Sequence, residues 1–193
     1  MRNKLILTVV IIAISTALFA EEQRQNKSSN SEFIWKVGAG HASYPDRFGL
    51  DMSFNYMYNP DPIFAFGFEG DFLWINWTEE KVDEVTEKTR KTKKELYTFP
   101  FFINGQIRLP FLRDIIYVEP AVTMGLGVAC MFGDKGPHGT FPALQGLGTL
   151  YFNPFKNSAA DFALDFGYRY MPLSNGDRNM SGFVARFGVK VAL

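Results

Sequence analysis

Apolar and polar positions alternate with a period of two residues through most of the chain, most regularly from Ala160 to Tyr170. Even positions there are Ala160, Phe162, Leu164, Phe166, Tyr168 and Tyr170; odd positions are Asp161, Ala163, Asp165, Gly167 and Arg169. This period places the two sets on opposite faces of an extended strand. The run also matches the roughly 9–11 residues with which a tilted strand crosses a bilayer.

The same alternation recurs along the chain and predicts about eight strands. The runs are Phe33–Gly40, Phe48–Tyr58, Phe64–Trp74, Tyr97–Ile107, Ile116–Val128, Phe141–Phe152, Ala160–Tyr170 and Phe183–Leu193. Turn signals rich in Pro, Asn, Asp and Gly separate them. We therefore predict an all-β fold, an eight-stranded antiparallel up-and-down transmembrane β-barrel over residues 33–193.

Prolines set two further expectations about this sheet. Residues 59–62 (Asn-Pro-Asp-Pro) must form a tight connection, because proline cannot donate to a strand ladder. Pro120 lies inside the fifth run and requires a bulge or a lost hydrogen bond, and the sixth run, with Pro142, is the least regular.

The connections at Asn59, Arg108 and Asn153 are predicted to be short, with longer loops at the opposite end.

The first residues have the composition of a secretory signal peptide. Arg2 and Lys4 precede an apolar run from Leu5 to Ile14, and small residues follow as far as Ala20. We predict a cleaved signal over residues 1–20 and a polar leader over residues 21–32. The apolar run is shorter than the roughly 20 residues that a membrane-spanning helix needs.

A mixed-charge segment over residues 78–95 interrupts the alternation and is predicted to be a long surface loop. Acids dominate its first half and Lys and Arg its second half. Pairs such as Glu84 with Lys88 would support a short helix. Acid-then-base order also suits a hairpin whose opposite charges face each other, and we favour the hairpin.

Side-chain volume decides which face of the barrel points outward. An eight-stranded barrel is only wide enough to be filled by side chains, so the many Phe, Tyr and Trp residues must face lipid. A secreted lipocalin-like barrel, with the apolar face inside, is the alternative. The opposite face carries small residues and a predicted polar network: Lys36, Asp51, Glu69, Asp71, Glu119, Asp161, Asp165, Arg169, Arg186 and Lys190. Aromatic residues predicted to form interfacial girdles are Phe33, Trp35, Tyr56, Tyr58, Trp74, Trp77, Tyr168 and Tyr170.

Composition excludes some partners. The formal net charge of zero gives no basis for nucleic-acid binding. The single cysteine, Cys130, cannot form an intrachain disulfide.

Taken together, the signal, strands and turn asymmetry resemble the small outer-membrane barrels of the OmpA transmembrane domain, OmpX and OmpW type. The resemblance implies a bacterial outer-membrane location, contact with outer-membrane lipid, and transit on periplasmic chaperones and the barrel-insertion machinery. Members often end in Phe, whereas this chain ends in Leu193.

Some barrels of this size are enzymes, and residues that match their catalytic groups are candidates for a site. His41, Ser43 and Asp46 are the best candidates for a site of the PagP palmitoyltransferase kind. A PagL-like deacylase is not supported, since Pro172 stands where the His before Ser174 and Asn175 would be. We predict no enzyme activity, no cofactor and no metal.

The preferred function is that of a structural or surface-interaction protein that presents extracellular loops, with residues 78–95 meeting a ligand. A narrow pore, or an OmpW-like transporter that opens laterally at Pro100, Pro120 or Pro142, is the alternative. A secreted carrier or a lipid A-modifying enzyme ranks below both.

Overall fold

The chain forms a closed barrel of eight antiparallel strands, as predicted. The computed structural model describes residues 30–82, 89–133, 139–154, 160–172 and 180–193, so the signal and nearly all of the leader lie outside the described residues. The strands are β1 (Ser31–Ala42), β2 (Arg47–Tyr58), β3 (Phe64–Val82), β4 (Thr89–Arg108), β5 (Val118–Gly133), β6 (Gly139–Phe152), β7 (Ala160–Tyr170) and β8 (Gly182–Ala192). Each strand pairs with its neighbours in sequence, and β1 pairs with β8 to close the barrel.

The barrel has two distinct ends. We call "turn end" the end where β1 begins, β8 ends, and residues 59–63 and 109–117 connect strands. We call the other end "ribbon end". Within the described residues no helix is long and apolar enough to span a membrane.

The connection from β4 to β5 corrects two predictions. It is not a short turn: Pro110–Leu112 form a 3-10 helix and Arg113–Ile116 form a short α-helix, α1. Ile116, predicted to start the fifth strand, therefore lies in α1. Tyr117 ends the helix in the left-handed conformation, with φ of 60°, which resets the chain direction before β5.

Of the two outcomes predicted for Pro120, a bulge or a lost hydrogen bond, the bulge does not occur. Pairing runs in constant register through Pro120, opposite Leu150, and through Pro142, opposite Val128, so neither proline produces a bulge. Pro100 has a larger effect. The β3–β4 ladder is present at Gly70 and at Leu73 but absent for the two residues between them, opposite Phe99 and Pro100, because Pro100 has no N–H to donate.

The described residues on either side of the gap, 78–82 and 89–95, are paired antiparallel strands rather than a loop or helix. Pairing between β3 and β4 continues outward from Thr78 with Lys93 to Val82 with Thr89. The flanking strands stop earlier, β2 at the Leu50–Trp74 pair and β5 at the Leu96–Gly133 pair. We call residues 75–82 and 89–95 "the ribbon". At roughly 3.3 Å per residue, its β3 arm extends about 25 Å past the last pair with β2. Glu84 and Lys88 lie outside the described residues.

The outward face is apolar, as the volume argument requires. Large hydrophobic side chains are exposed on strands around the barrel; among them are Phe54, Phe66, Phe68, Phe101, Ile103, Met124, Leu126, Leu164, Phe166, Phe183 and Phe187. The side chains of Tyr56, Tyr58, Tyr168 and Tyr170 are exposed with them. Trp77 departs from the predicted girdle, because it packs against the interior cluster at the ribbon end.

Candidate functional sites in the barrel interior and on the ribbon

Interior side chains form layers along the barrel axis. An apolar cluster that includes Leu73, Ile75, Leu96, Phe141, Met131, Met171 and Met180 fills the ribbon end. A smaller apolar cluster holds Ile34, Met57, Ala65, Ala121, Tyr151 and Ala163. Charged groups form two further sets, described below. A barrel of this size is filled by its own side chains, and the described residues follow that rule.

We call the first charged set "central network": Lys36, Asp51, Glu69, Asp71, Asp165, Arg169 and Arg186. Arg186 is its hub. One Nη of Arg186 lies 3.0 Å from Asp71 and 3.4 Å from Asp51, and the other lies 2.8 Å from Glu69 and 3.2 Å from Asp165. One guanidinium thus meets four carboxylates. Such pairing is what makes buried charge tolerable.

A second arginine binds two of the same acids from the neighbouring strand. Arg169 donates to Asp51 at 2.9 Å and also to Asp71. Its guanidinium lies 5.8 Å from the ring centre of Phe102, which faces into the barrel. Lys36 donates to Asp165 at 2.5 Å. The charges therefore link β1, β2, β3, β7 and β8 through the barrel interior.

Neutral amides complete the coordination of Glu69. Its Oε2 accepts hydrogen bonds from Asn104 at 2.6 Å, Gln145 at 2.9 Å and Asn55 at 3.2 Å. With Arg186 on Oε1, this carboxylate is satisfied on both oxygens. Asn104 and Gln145 bring β4 and β6 into the central network.

The second charged set, which we call "mouth network", lines the turn end. It contains Glu32, Arg108, Arg113, Glu119, Asp161 and Lys190, in a chain of alternating sign. Arg108 donates two hydrogen bonds to the carboxylate of Glu32, 3.0 and 2.6 Å long. The network lines an open cavity of about 300 Å³.

Arg113 joins α1 to this mouth. It donates to Asp161 at 2.6 Å and lies 3.4 Å from Glu119. Partial burial lowers the pKa of Arg113, but the hydrogen bond from Arg113 to Asp161 and the charges of Asp161 and Glu119 outweigh it, so the net shift of the pKa is upward. The guanidinium therefore holds its charge at the mouth.

The structure divides the predicted polar residues between the two networks. Seven of the ten predicted residues meet in the central network, whereas Glu119, Asp161 and Lys190 belong to the mouth network. Sequence reasoning missed Glu32, Arg108 and Arg113. Both Glu32 and Arg108 lie one residue outside the predicted runs; extending the alternation by one residue would have found Glu32, in phase with Lys36, and Arg108, in phase with Gln106. Arg113 lies in a helix, where that signal does not apply.

The candidate catalytic residues do not form a triad. His41 lies 3.0 Å from Asp46, but Ser43 donates its hydroxyl proton to the carbonyl oxygen of Ser181 at 2.7 Å. A nucleophilic serine would need its proton directed at His41. Among the described residues no His, Cys, Asp and Glu side chains cluster as metal ligands.

The ribbon has an uneven charge distribution. Glu80 pairs with Lys91 at 2.6 Å, and Glu79 pairs with Lys94, which also lies 6.0 Å from the ring centre of Trp77. Lys93 is exposed and has no ion pair among the described residues. Residues 89–95 hold four cations and one carboxylate, Glu95. The β4 arm of the ribbon is therefore basic.

A groove of about 570 Å³ indents the outward apolar face. It lies at Gly70, where a side chain is missing, and Phe54, Phe68, Phe101 and Leu126 are among its lining residues. The gap in the β3–β4 ladder at Pro100 begins next to Gly70.

Comparison with solved structures agrees with this geometry. The chain superposes on Neisserial surface protein A with a TM-score of 0.59 at 12% identity, over 84% of this chain and 96% of that one. It matches the outer membrane protein OprG of Pseudomonas aeruginosa with a TM-score of 0.50 at 11% identity, over 86% and 97% of the two chains. It also matches the outer membrane protein Ail of Yersinia pestis with a TM-score of 0.45 at 18% identity, over 83% and 98%.

The fold is that of a small outer-membrane β-barrel. The resemblance drawn from the strand pattern is thereby confirmed at the level of fold. No protein-family model matches the sequence, and no curated protein matches it.

Proposed function

We propose that the mature chain is an integral protein of the bacterial outer membrane, exported by residues 1–20, that presents the ribbon at the cell surface. The observation that carries the proposal is the inversion of polarity: rings cover the outside of the barrel while ion pairs fill its interior. A soluble barrel of the same width would place the rings inside. The turn end then faces the periplasm and the ribbon end faces outward.

Membrane extraction tests the location. The protein should resist extraction from membranes by carbonate and should dissolve in detergent. Boiled and unboiled samples should migrate differently in gel electrophoresis. A mature chain that folds as a monomer in detergent-free buffer would establish the secreted carrier instead.

The ribbon is the proposed interaction surface. It extends beyond the barrel wall, and its basic β4 arm favours a ligand with negative charge. Closure of the interior by two ion-pair networks and an apolar cluster argues against an open pore. The hydroxyl of Ser43, donated to Ser181, argues against acyl-transfer chemistry.

Paired charge changes test the ribbon. Binding of dextran sulfate to cells that display the protein should fall in the double variant Lys91→Glu/Lys93→Glu. The matched control, Glu80→Lys/Glu95→Lys, changes the same face with opposite sign and should strengthen binding. Equal binding of dextran sulfate by both variants would show that the ribbon is not the binding surface.

One observation favours transport of small apolar molecules as a second candidate. The gap in the β3–β4 ladder opposite Pro100 adjoins the outer groove and has the buried carboxylate of Asp71 behind it. Uptake of an apolar dye into vesicles should slow in Pro100→Val, which restores a donor to the ladder. An unchanged rate would exclude a lateral opening at this position.

A further inference from the structure

The connection between β4 and β5 exposes a compact apolar surface at the turn end. Phe111, Ile115, Ile116 and Tyr117 are 61%, 70%, 52% and 75% exposed. They lie within residues 109–117, which contain the 3-10 helix and α1. Four large apolar side chains on one short connection form a patch of the kind that marks an interaction site.

Arg113 fixes the orientation of this connection. Its guanidinium reaches over the mouth to Asp161 on β7 and Glu119 on β5. The helix is closed by a hydrogen bond from the Tyr117 N–H to the Arg113 carbonyl oxygen, 3.0 Å long. Arg113 is therefore tied to the mouth, while Phe111, Asp114, Ile115 and Ile116 remain exposed outside it.

This patch continues the apolar outer surface of the barrel. Ile107 pairs with Phe64 on one side and with Val122 on the other. All three side chains are exposed, and they form the row of large apolar residues on β3, β4 and β5 that lies nearest the turn end. Exposed Leu109 links that row to Phe111. No charged side chain interrupts the sequence from Ile107 through Leu112 except Arg108, which points into the mouth.

We propose that residues 109–117 rest in the periplasmic leaflet of the outer membrane, where Phe111, Ile115 and Ile116 contact phospholipid at the boundary between head groups and acyl chains. This inference rests on the proposed membrane location. A short amphipathic helix with apolar and aromatic side chains on its free side binds that boundary, and Tyr117 suits it because its ring is apolar and its hydroxyl polar. The connection would thus fix the depth of the barrel at the turn end.

Site-specific fluorescence tests this contact. In a Cys130→Ala background, the environment-sensitive dye NBD is attached to Ile115→Cys, to Asp114→Cys, or to Leu126→Cys in the middle of β5. The proteins are reconstituted in nanodiscs of phosphatidylethanolamine and phosphatidylglycerol. The dye at position 115 should show blue-shifted emission and be quenched at least twofold by lipid with a nitroxide near the head group. The dye at 114 should stay accessible to iodide.

The dye at position 126 separates the two proposals. If 126 is quenched by lipid while 115 emits as in water, the contact is wrong and the membrane location stands. If both positions emit as in water, the membrane location itself fails. If 115 is aqueous in nanodiscs but becomes shielded only when a periplasmic extract is added, a protein covers the patch, and the lipid assignment is overturned. Circular dichroism and heat-modifiable migration of each labelled variant show that it is folded.

Discussion

Nη2 of Arg186 lies 2.8 Å from Oε1 of Glu69, with both side chains buried in the centre of the barrel. The same guanidinium contacts Asp51, Asp71 and Asp165, which also pair with Arg169 or Lys36. Loss of Arg186 would therefore leave Glu69 without an ion-pair partner among the described residues.

Arg186→Met should lower the free energy of unfolding by about 3–5 kcal/mol, the usual cost of removing one partner of a buried ion pair. Urea titration in detergent measures it. The double variant Arg186→Met/Glu69→Gln should recover part of the loss, since it also removes one unpaired charge. A single variant as stable as wild type would contradict the hub role.

Lys36→Met should cost less, about 1–3 kcal/mol, the cost of one unsatisfied buried group. Asp165, which loses Lys36, keeps its contact with Arg186 at 3.2 Å. The same titration ranks the two variants. A larger loss for Lys36→Met than for Arg186→Met would mean that the network centres on β1 instead of β8.

Gly127→Ala should destabilise the barrel by about 1–3 kcal/mol or prevent folding, as overpacking does. A Cβ at Gly127 would lie 1.7 Å from the Phe101 carbonyl oxygen, so the backbones would have to separate. Gly105→Ala is the matched control on the adjacent strand, because a Cβ there meets nothing within 4 Å. Equal folded yields for the two variants would contradict this account.

Met124→Arg tests the lipid-facing surface. Met124 is 72% exposed in the middle of β5, and arginine near the centre of a bilayer costs about 2–4 kcal/mol. Unfolding from phospholipid vesicles should show that loss. Asn76→Arg, on the exposed face of the ribbon, should change stability little. A Met124→Arg barrel as stable as wild type would place this face in water.

Replacing residues 79–92 by a two-residue Asn-Gly turn should leave the melting temperature of the barrel unchanged. Beyond the Leu50–Trp74 and Leu96–Gly133 pairs, the ribbon contributes no pairing to β2 or β5. Differential scanning calorimetry provides the measurement. A large decrease in melting temperature would show that the ribbon supports the fold as well as presenting a surface.

Much of this architecture could be predicted because a strand has a side-chain period of two. Asp165, Arg169 and Arg186 stand in phase with small residues and opposite Phe and Tyr, so their inward direction follows from the sequence. Which cation meets which acid does not follow, since partners such as Lys36 and Asp165 lie far apart in the chain. Their meeting depends on barrel closure and register.

The errors arose where the chain departs from simple alternation. Isoleucine is common in strands, but Pro110 begins a 3-10 helix that continues into α1, and Ile116 is the last residue of α1. The residue type of Trp77 predicts an outward aromatic side chain, although its phase with Leu73 and Ile75 directs it inward. The order of charges in residues 78–95 favours a hairpin over a helix. It does not indicate how many residues β3 and β4 add to the ladder beyond the barrel.

The position of Arg186 on the last strand has a consequence for assembly. Asp51 and Glu69 lie on the early strands β2 and β3, yet the guanidinium groups that neutralise them, Arg169 and Arg186, enter only with the last two strands, β7 and β8. Until then those carboxylates must keep their water, because an unpaired charge cannot enter an apolar medium cheaply. We therefore expect dehydration of the interior to occur late in assembly, together with closure of the β1–β8 seam.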